Sequence, residues 1–536
     1  MSQKSFKFNV PLVGFVVGLV LAIGVYYALH AHLDEIKHTL TKPGLKLDSL
    51  PIVAGVAVLM GAWWMSEAIE LVATALLPLV LFSALGVASF KEVGASYGSP
   101  IIFLFMGGFV LAMAMQRWNL HTRIALRIIL LVGTSPRALV AGFMLATAFL
   151  SMWVSNTATA VMMMPVGLSV LSLVAKLLQE RDYKANPLSA DDPLSYQSTH
   201  GGALHTIVHK GKDAPGVPIY RTNFSICLML GIAYSASIGS LATLIGTPPN
   251  ALLAGYMQEA FHLKIGFGQW MILGVPIALL MLIGAWFLLT YIIFPIKIKE
   301  IPGGKEVIAK ELQKLGPMSA GELWVAGLFV LASLSWVFLG SILHSMGIKI
   351  ANLDSIIAMG VAIALFIIPA QQTRLIDWET MKKLPWDVLL LFGGGLALSA
   401  QFSKSGLSLW IGHQVGHLAH LPLLLLMLLV VTLVIFLTEI TSNTATAAAF
   451  LPVIGGVALG LGYEHSQALF FTIPVALAAT CAFMLPVATP PNAIAYGSGY
   501  VKMQDMIKAG LWLNLLGIVL ISLITYALVG QIFVRS

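Results

Sequence analysis

Continuous apolar stretches recur along the whole chain, near 10–30, 51–67, 70–88, 99–116, 139–175, 223–258, 268–295, 323–345, 355–370, 386–411, 421–461, 467–498 and 510–533. Several reach the roughly 20 residues that an α-helix needs to cross about 30 Å of hydrocarbon, whereas a porin would show weaker alternating segments of about ten. Of the 536 residues, 58% are hydrophobic and 10% charged, against about 45–50% and 25% in soluble domains. The expected class is therefore an all-α polytopic membrane protein, not a soluble enzyme or a β-barrel. The formal net charge is +7, but the basic residues are scattered between apolar segments and form no arm or stripe, so nucleic acid is not the expected partner. Cys227 and Cys481 lie inside apolar runs and show neither C-x-x-C nor zinc spacing. The run from Val10 to His30 follows Lys4 and Lys7, but it is long and lacks a small-residue cleavage site, so it reads as a retained first helix.

The two longest stretches, 139–175 and 421–461, exceed one crossing, and each carries Ser-Asn-Thr near its middle. Each is expected to be a re-entrant helical hairpin, a form tolerated only against protein or a water-filled cavity. Comparing the chain with itself sharpens this. Ser155-Asn156-Thr157-Ala158-Thr159-Ala160 recurs 287 residues later as Ser442-Asn443-Thr444-Ala445-Thr446-Ala447, and Pro165 and Pro452 follow at the same distance. Gly107-Gly108 falls on Gly394-Gly395 at the same offset, while Thr247-Pro248-Pro249-Asn250-Ala251 recurs as Thr489-Pro490-Pro491-Asn492-Ala493 after 242 residues. The 45-residue difference between the offsets matches the polar stretch from Gln179 to Arg221, which has no counterpart in the second copy. Two homologous halves result. The expected organisation is an N-terminal helix and connection (1–50), a first repeat (51–295) with hairpin 139–175 and broken helix 223–258, a basic linker (296–322), and a second repeat (323–536) with hairpin 421–461 and broken helix 467–498.

Charge sets the expected orientation. The flanks of the first hairpin carry Arg117, Arg123, Arg127, Arg137, Lys176, Arg181, Lys184, Lys210, Lys212 and Arg221, while those of the second, 412–421 and 461–466, carry no Lys or Arg. Because Lys and Arg favour the cytoplasmic side, the first hairpin opens inward and the second outward, so the repeat is inverted. Extended along the chain, this places 22 of the 30 Lys and Arg residues inside and 8 outside, with the N-terminus cytoplasmic and the C-terminus outside. The glycosylation triplet Asn223-Phe224-Ser225 then faces the cytoplasm and is accidental.

An inverted repeat with helices broken at matching positions puts a site near the membrane midplane, where freed helix N-termini and carbonyls meet anions and cations. Ser and Thr hydroxyls donate to carboxylates and lend oxygen to hard cations, and Asn does both. The paired prolines remove amide donors and leave carbonyls free to coordinate a cation. A single Ser-Asn-Thr in an apolar helix would read as a helix–helix hydrogen bond, but its duplication together with Thr-Pro-Pro-Asn favours a site.

These residues carry a resemblance. The paired Ser-Asn-Thr, the paired Thr-Pro-Pro-Asn, and phrases such as L-I-G-T-P-P-N and F-L-T-E-I-T-S-N-T-A-T-A resemble the divalent anion/sodium symporter family, solute carrier family 13 in animals, from about residue 51 to the end. The resemblance implies about 11 transmembrane helices plus the two hairpins, scaffold and transport domains working as an elevator, and a homodimer. It implies sodium-coupled uptake of C4-dicarboxylates such as succinate, malate and fumarate through the inner (plasma) membrane of a bacterium. Substrate carboxylates would be gripped by Ser155, Asn156, Thr157, Ser442, Asn443 and Thr444, with Thr247, Pro248, Thr489 and Pro490 completing the region. Co-transported Na+ would take Ser151, Ser155, Asn156 and Gly246 at one site and Thr438, Thr441, Asn443 and Ala488 at the other. The repeat supports this mapping independently, since Ser151 and Thr438 are 287 residues apart.

A dicarboxylate carries about two negative charges, yet neither motif contains Lys or Arg, so sodium and helix N-termini must supply the positive field. The same fold could instead run as a sodium-independent dicarboxylate exchanger, or carry citrate or sulfate. A membrane-embedded enzyme would need intramembrane acid/base or metal clusters. The nearest approach to one, His413, His417 and His420, has metal-like spacing but no Cys or carboxylate to complete it, and reads as the lining of an outer mouth. His205 and His209 fall in the inserted polar loop. Glu439 directly precedes a hairpin tip, where an ionisable group is expensive and usually functional; Glu67 and Glu70 sit at an expected helix–helix turn, and Trp63 and Trp64 read as interfacial or packing residues.

Overall fold

A computed structural model describes residues 10–40, 42–133, 135–185, 205–207, 219–297, 304–371 and 373–534. Lys4, Lys7, His209, Lys210, Lys212 and most of the inserted polar stretch lie outside the described residues; of that stretch the structure describes 179–185, at the end of a long helix, and the short antiparallel pair His205–Ile207 and Ile219–Arg221. Nine helices among the described residues are long and apolar enough to cross a membrane, and six shorter apolar helices lie between them.

Helix α1 (Val10–Ala31) packs along α2 (Leu50–Ser66). The approach is close because Gly14 and Gly18 face Ser66 and Trp63, and Gly55 faces the Ala22 carbonyl. Trp63 and Trp64 are buried, so they serve packing. Helix α2 ends where Glu67 adopts a left-handed φ of 48°, and Glu70 precedes the short helix Leu71–Ala75. Next come α3 (Pro100–Arg117), α4 (Leu120–Val132), α5 (Pro136–Ser151), α6 (Asn156–Ala185), α7 (Asn223–Ser240), α8 (Pro248–Phe261) and α9 (Phe267–Phe287). The second half supplies α10 (Ala320–Leu334), α11 (Leu353–Ile367), α12 (Trp386–Lys404), α13 (Leu407–Gln414), α14 (Leu423–Thr438), α15 (Asn443–Gly460), α16 (Leu469–Ala479), α17 (Pro490–Gly497) and α18 (Met503–Val529).

The sequence repeat governs where helices start. Leu120 and Leu407, Pro136 and Leu423, and Asn156 and Asn443 each open a helix 287 residues apart, and Pro248 and Pro490 do so 242 residues apart. The stretch expected as one apolar span, 386–411, divides at Gly406, whose φ of 77° favours glycine and turns α12 into α13. The glycine pairs are interlocked between halves. A Cβ on Gly107 of α3 would lie 2.6 Å from the Ala358 backbone of α11, and one on Gly394 of α12 would lie 2.2 Å from the Ala75 carbonyl of the first half. Each repeat thus packs a glycine face against a helix of the other, the close backbone approach that membrane helices use where lipid removes the hydrophobic drive. Gly412 of α13 meets Gly456 and Gly460 of α15 in the same way.

Charged ties hold the loop ends. Arg123 of α4 pairs with Glu322 at 2.8 Å, both side chains being 5% exposed, and it also donates to the Gly316 carbonyl at 2.9 Å. Arg221 pairs with Asp505 at the start of α18. Arg117 meets Asp377 at 2.6 Å in the connection between α11 and α12. There the Thr380 hydroxyl and amide, with the Arg117 guanidinium, hold the Asp377 carboxyl down to about 2. Because the folded value lies below the ordinary carboxylate range of roughly 4, this tie is fully present above that range and is lost as pH falls toward 2. Thermal unfolding of wild type against Asp377→Asn, scanned with pH, should show a modest stability difference at neutral pH that closes between about pH 4 and 2; a pH-independent difference would contradict the assignment.

Candidate functional site

The first hairpin begins where Ser135 caps the Ala138 amide and Pro136 presets the first turn of α5. The helix stops at Ser151, residues 152–155 turn, and Asn156 starts α6. The Ser155 hydroxyl accepts from the Ala158 amide at 3.3 Å, and Asn156 Oδ1 accepts from the Thr157 amide at 2.8 Å. The second hairpin repeats the design. Helix α14 stops at Thr438, Glu439 to Ser442 turn, and Asn443 starts α15. Here the Thr438 hydroxyl donates to Asn443 Oδ1 at 2.9 Å, Thr441 and Thr446 share a hydroxyl contact of 2.6 Å, and the Ser442 side chain takes no capping bond. Ser155, Asn156 and Thr157 are half-buried, as are Ser442, Asn443 and Thr444. Each tip therefore presents polar groups at the positive end of a new helix.

The two broken helices face these tips. Helix α7 ends at Ser240 and α8 starts at Pro248; α16 ends at Ala479 and α17 starts at Pro490. The first unwound segment is buried; the second is buried at both ends, with residues 484–486 half-buried and Val487 exposed between them. Matching asparagines satisfy part of the carbonyls in each. Asn250 Nδ2 donates to the Thr243 carbonyl at 2.9 Å and the Ser240 carbonyl at 3.3 Å. Asn492 Nδ2 donates to the Leu485 carbonyl at 3.1 Å and the Ala482 carbonyl at 3.1 Å. Both asparagines are fully buried and reach back the same seven and ten residues. Gly246 lies in the first unwound segment, where a Cβ would come within 2.3 Å of the Ser240 carbonyl, so no larger residue fits.

Side chains join the four breaks into one cluster. Ser151 donates to the Ala236 carbonyl at 2.5 Å and Thr243 donates to the Met152 carbonyl, tying the first tip to the first broken helix. Thr438 donates to the Ala479 carbonyl at 2.8 Å, tying the second tip to the second broken helix. Thr247 and Thr480 come within 3.5 Å of each other across the two broken helices. Of the residues singled out for sodium, Thr438 and Asn443 are in direct contact, and Ser151, Thr441, Gly246 and Ala488 lie on the same tips and unwound segments. Pro248 and Pro490 occupy the first turns of α8 and α17, where the missing amide costs nothing.

Glu439 has the largest role that the sequence leaves open. Its carboxylate accepts from the amides of Phe483 at 2.7 Å, Met484 at 2.9 Å and Leu485 at 3.2 Å, and from Asn514 Nδ2 at 2.7 Å. It is 3% exposed and is the only charged residue in the two tips and the two unwound segments. The position 287 residues earlier is Met152, whose backbone carbonyl, not its side chain, makes the link to its broken helix. Thr243, Thr480 and Asn514 were also not visible as partners in the sequence, because the repeat places Leu485 where Thr243 stands. His413, His417 and His420 are exposed, and no group of three metal-ligating His, Cys, Asp or Glu occurs among the described residues.

Helices broken in matched pairs inside a bundle of apolar spans, with their polar breaks linked into one cluster, define a multi-pass membrane transporter. The chain belongs to the sodium:sulfate symporter transmembrane region family, whose model matches residues 44–534. It is 41% identical over 497 residues to the sodium-dependent dicarboxylate transporter SdcS of Staphylococcus saprophyticus, covering 92% of this chain and 89% of that one. It is 42% identical over 478 residues to the protein of the same name in Staphylococcus aureus, covering 88% and 85%. Its fold is similar to the Alcanivorax borkumensis YdaH transporter at a TM-score of 0.50 and 14% identity, covering 82% of this chain and 88% of that one.

Glu439→Ala strands three backbone amides and Asn514, at about 1–3 kcal/mol for each buried donor, while Glu439→Gln keeps one acceptor oxygen. Thermal unfolding in detergent should therefore rank wild type above Gln and Gln above Ala; an Ala variant as stable as wild type would remove the carboxylate from the architecture.

Proposed function

We propose that the chain imports C4-dicarboxylates, such as succinate, malate and fumarate, together with sodium, through the inner (plasma) membrane. The observation that carries this reading is the hydrogen-bonded cluster formed by both half-buried Ser-Asn-Thr tips and both Thr-Pro-Pro-Asn breaks, which holds no Lys, Arg or His. It is supported by relatives named sodium-dependent dicarboxylate transporters that align over about nine-tenths of the chain.

The chemistry follows from the residues. Ser155, Asn156, Thr157, Ser442, Asn443 and Thr444 offer hydroxyl and amide donors to the two substrate carboxylates, with Thr247 and Thr489 beside them. Ser151, Ser155, Asn156 and the Gly246 carbonyl form one sodium set, and Thr438, Thr441, Asn443 and the Ala488 carbonyl the other. All are neutral oxygens, which suits a hard monovalent cation. Without sodium, a dianion meets only neutral donors and helix ends in a low dielectric; with sodium bound, Coulomb attraction compensates it. Coupling is then a matter of charge balance: neither ion binds well alone. In this reading, which the distribution of Lys and Arg supports, the N-terminus is cytoplasmic and the C-terminus outside, the repeat is inverted and the two hairpins are re-entrant from opposite sides. The hairpins and broken helices would move together as the transport domain of an elevator, against a scaffold through which two copies pair.

Proteoliposomes with an inward sodium gradient should accumulate succinate, and uptake driven only by internal dicarboxylate would support exchange instead. A panel with citrate and sulfate ranks substrates. A hydrogen bond to a charged group is worth about 1.5–3 kcal/mol, so Asn156→Ala or Asn443→Ala should cut sodium-dependent uptake at least tenfold with folded protein still in the membrane; unchanged kinetics in both would refute the assignment.

A further inference from the structure

Helix α15 has two unlike faces. One is pressed onto α13 so closely that a Cβ on Gly460 would lie 2.0 Å from Gly412 backbone atoms. The other, carrying Ala449, Phe450 and Val453, faces a cavity of about 640 Å³. Ala28 and Leu29 of α1, Ala57 and Trp64 of α2, and Trp410 of α13 line the rest, together with Leu398 and Phe402 of α12. The volume is that of a small-molecule site, about 300–1,000 Å³.

Two observations identify the occupant. First, the lining is apolar throughout, and the one buried indole N–H, on Trp64, donates to the Leu71 carbonyl at 3.2 Å. A water molecule needs two to four polar partners, and the lining side chains offer at most one, the Trp410 indole N–H. Helices α1, α2, α12 and α15 are all long and apolar enough to span the membrane, so the cavity lies at hydrocarbon depth. Second, two lysines, neither of them lining the cavity, lie on chain segments next to one of its ends. Phe402 and Leu407 line that end and flank Lys404, whose carbonyl accepts from the Lys46 amide at 2.8 Å. Lys404 is paired with Glu92 at 2.6 Å, whereas the Lys46 ammonium donates to the Val87 carbonyl at 3.3 Å and forms no salt bridge among the described residues.

The geometry points to a phospholipid site, with an acyl chain filling the cavity between α1–α2 and the outgoing arm of the second hairpin, and the headgroup phosphate beside Lys46. A headgroup phosphate attracts a Lys ammonium by charge, and the acyl chain supplies the apolar contact that the lining lacks. This site is separate from the polar cluster and does not depend on which anion is carried. It also places a replaceable apolar filler against an arm of the second hairpin.

Native mass spectrometry of the full chain, extracted in mild detergent, tests it. Wild type should retain one phospholipid. Ala57→Trp, which fills the cavity, should lower the retained fraction at least tenfold, and Lys46→Glu should lower it several-fold. Retention equal to wild type in Ala57→Trp, or no retained phospholipid in wild type, overturns the site; loss in Ala57→Trp with no change in Lys46→Glu overturns the headgroup contact. If Ala57→Trp fails to fold, reconstitution in phospholipid with brominated acyl chains decides. Trp64 lines this cavity and is otherwise buried in the protein, so bromine on an acyl chain seated there should quench a share of the tryptophan emission that disappears in Trp64→Phe. Equal quenching in both proteins would also overturn the proposal.

Discussion

Everything in this fold depends on making unwound backbone tolerable inside a membrane bundle. A helix satisfies its own carbonyls and amides, and a break does not, so each break must find partners within the protein or forfeit several kcal/mol. The two broken helices meet this demand with one device used twice: Asn250 and Asn492 turn their amides back onto the carbonyls seven and ten residues before them. Proline at the next helix start removes a donor that would otherwise be stranded.

The two halves solve the adjoining problem differently. In the first, a threonine hydroxyl joins the unwound segment to the carbonyl of Met152. In the second, three consecutive amides of the unwound segment converge on Glu439. A buried carboxylate without a basic partner is expensive, and four hydrogen bonds from amide groups make this one affordable. The halves are alike in outline and unlike in charge, with a formal negative charge beside one tip only.

Much of this was legible in the sequence, because the repeat writes the same polar interruptions twice in apolar text. Helix starts at 120 and 407, 136 and 423, and 156 and 443 follow the offset read from Ser-Asn-Thr. What was not legible depends on distant partners. Arg123 and Glu322 are 199 residues apart, and nothing local to either marks the pair. Gly406 was hidden because an apolar run on both sides of a glycine reads as one helix until the backbone turns. Thr243 and Glu439 escaped pairing because each occupies a place where the other half has an apolar side chain.

The crossed glycine contacts have a consequence for assembly. Gly107 waits for Ala358, and Ala75 waits for Gly394, so each half holds a seat that only the other can fill. During synthesis from the N-terminus, the early helices enter the membrane with open notches about 250 to 320 residues ahead of their partners. The first repeat is thus a half-finished joint until the second is made, and the molecule closes late and all at once, like two combs pushed together.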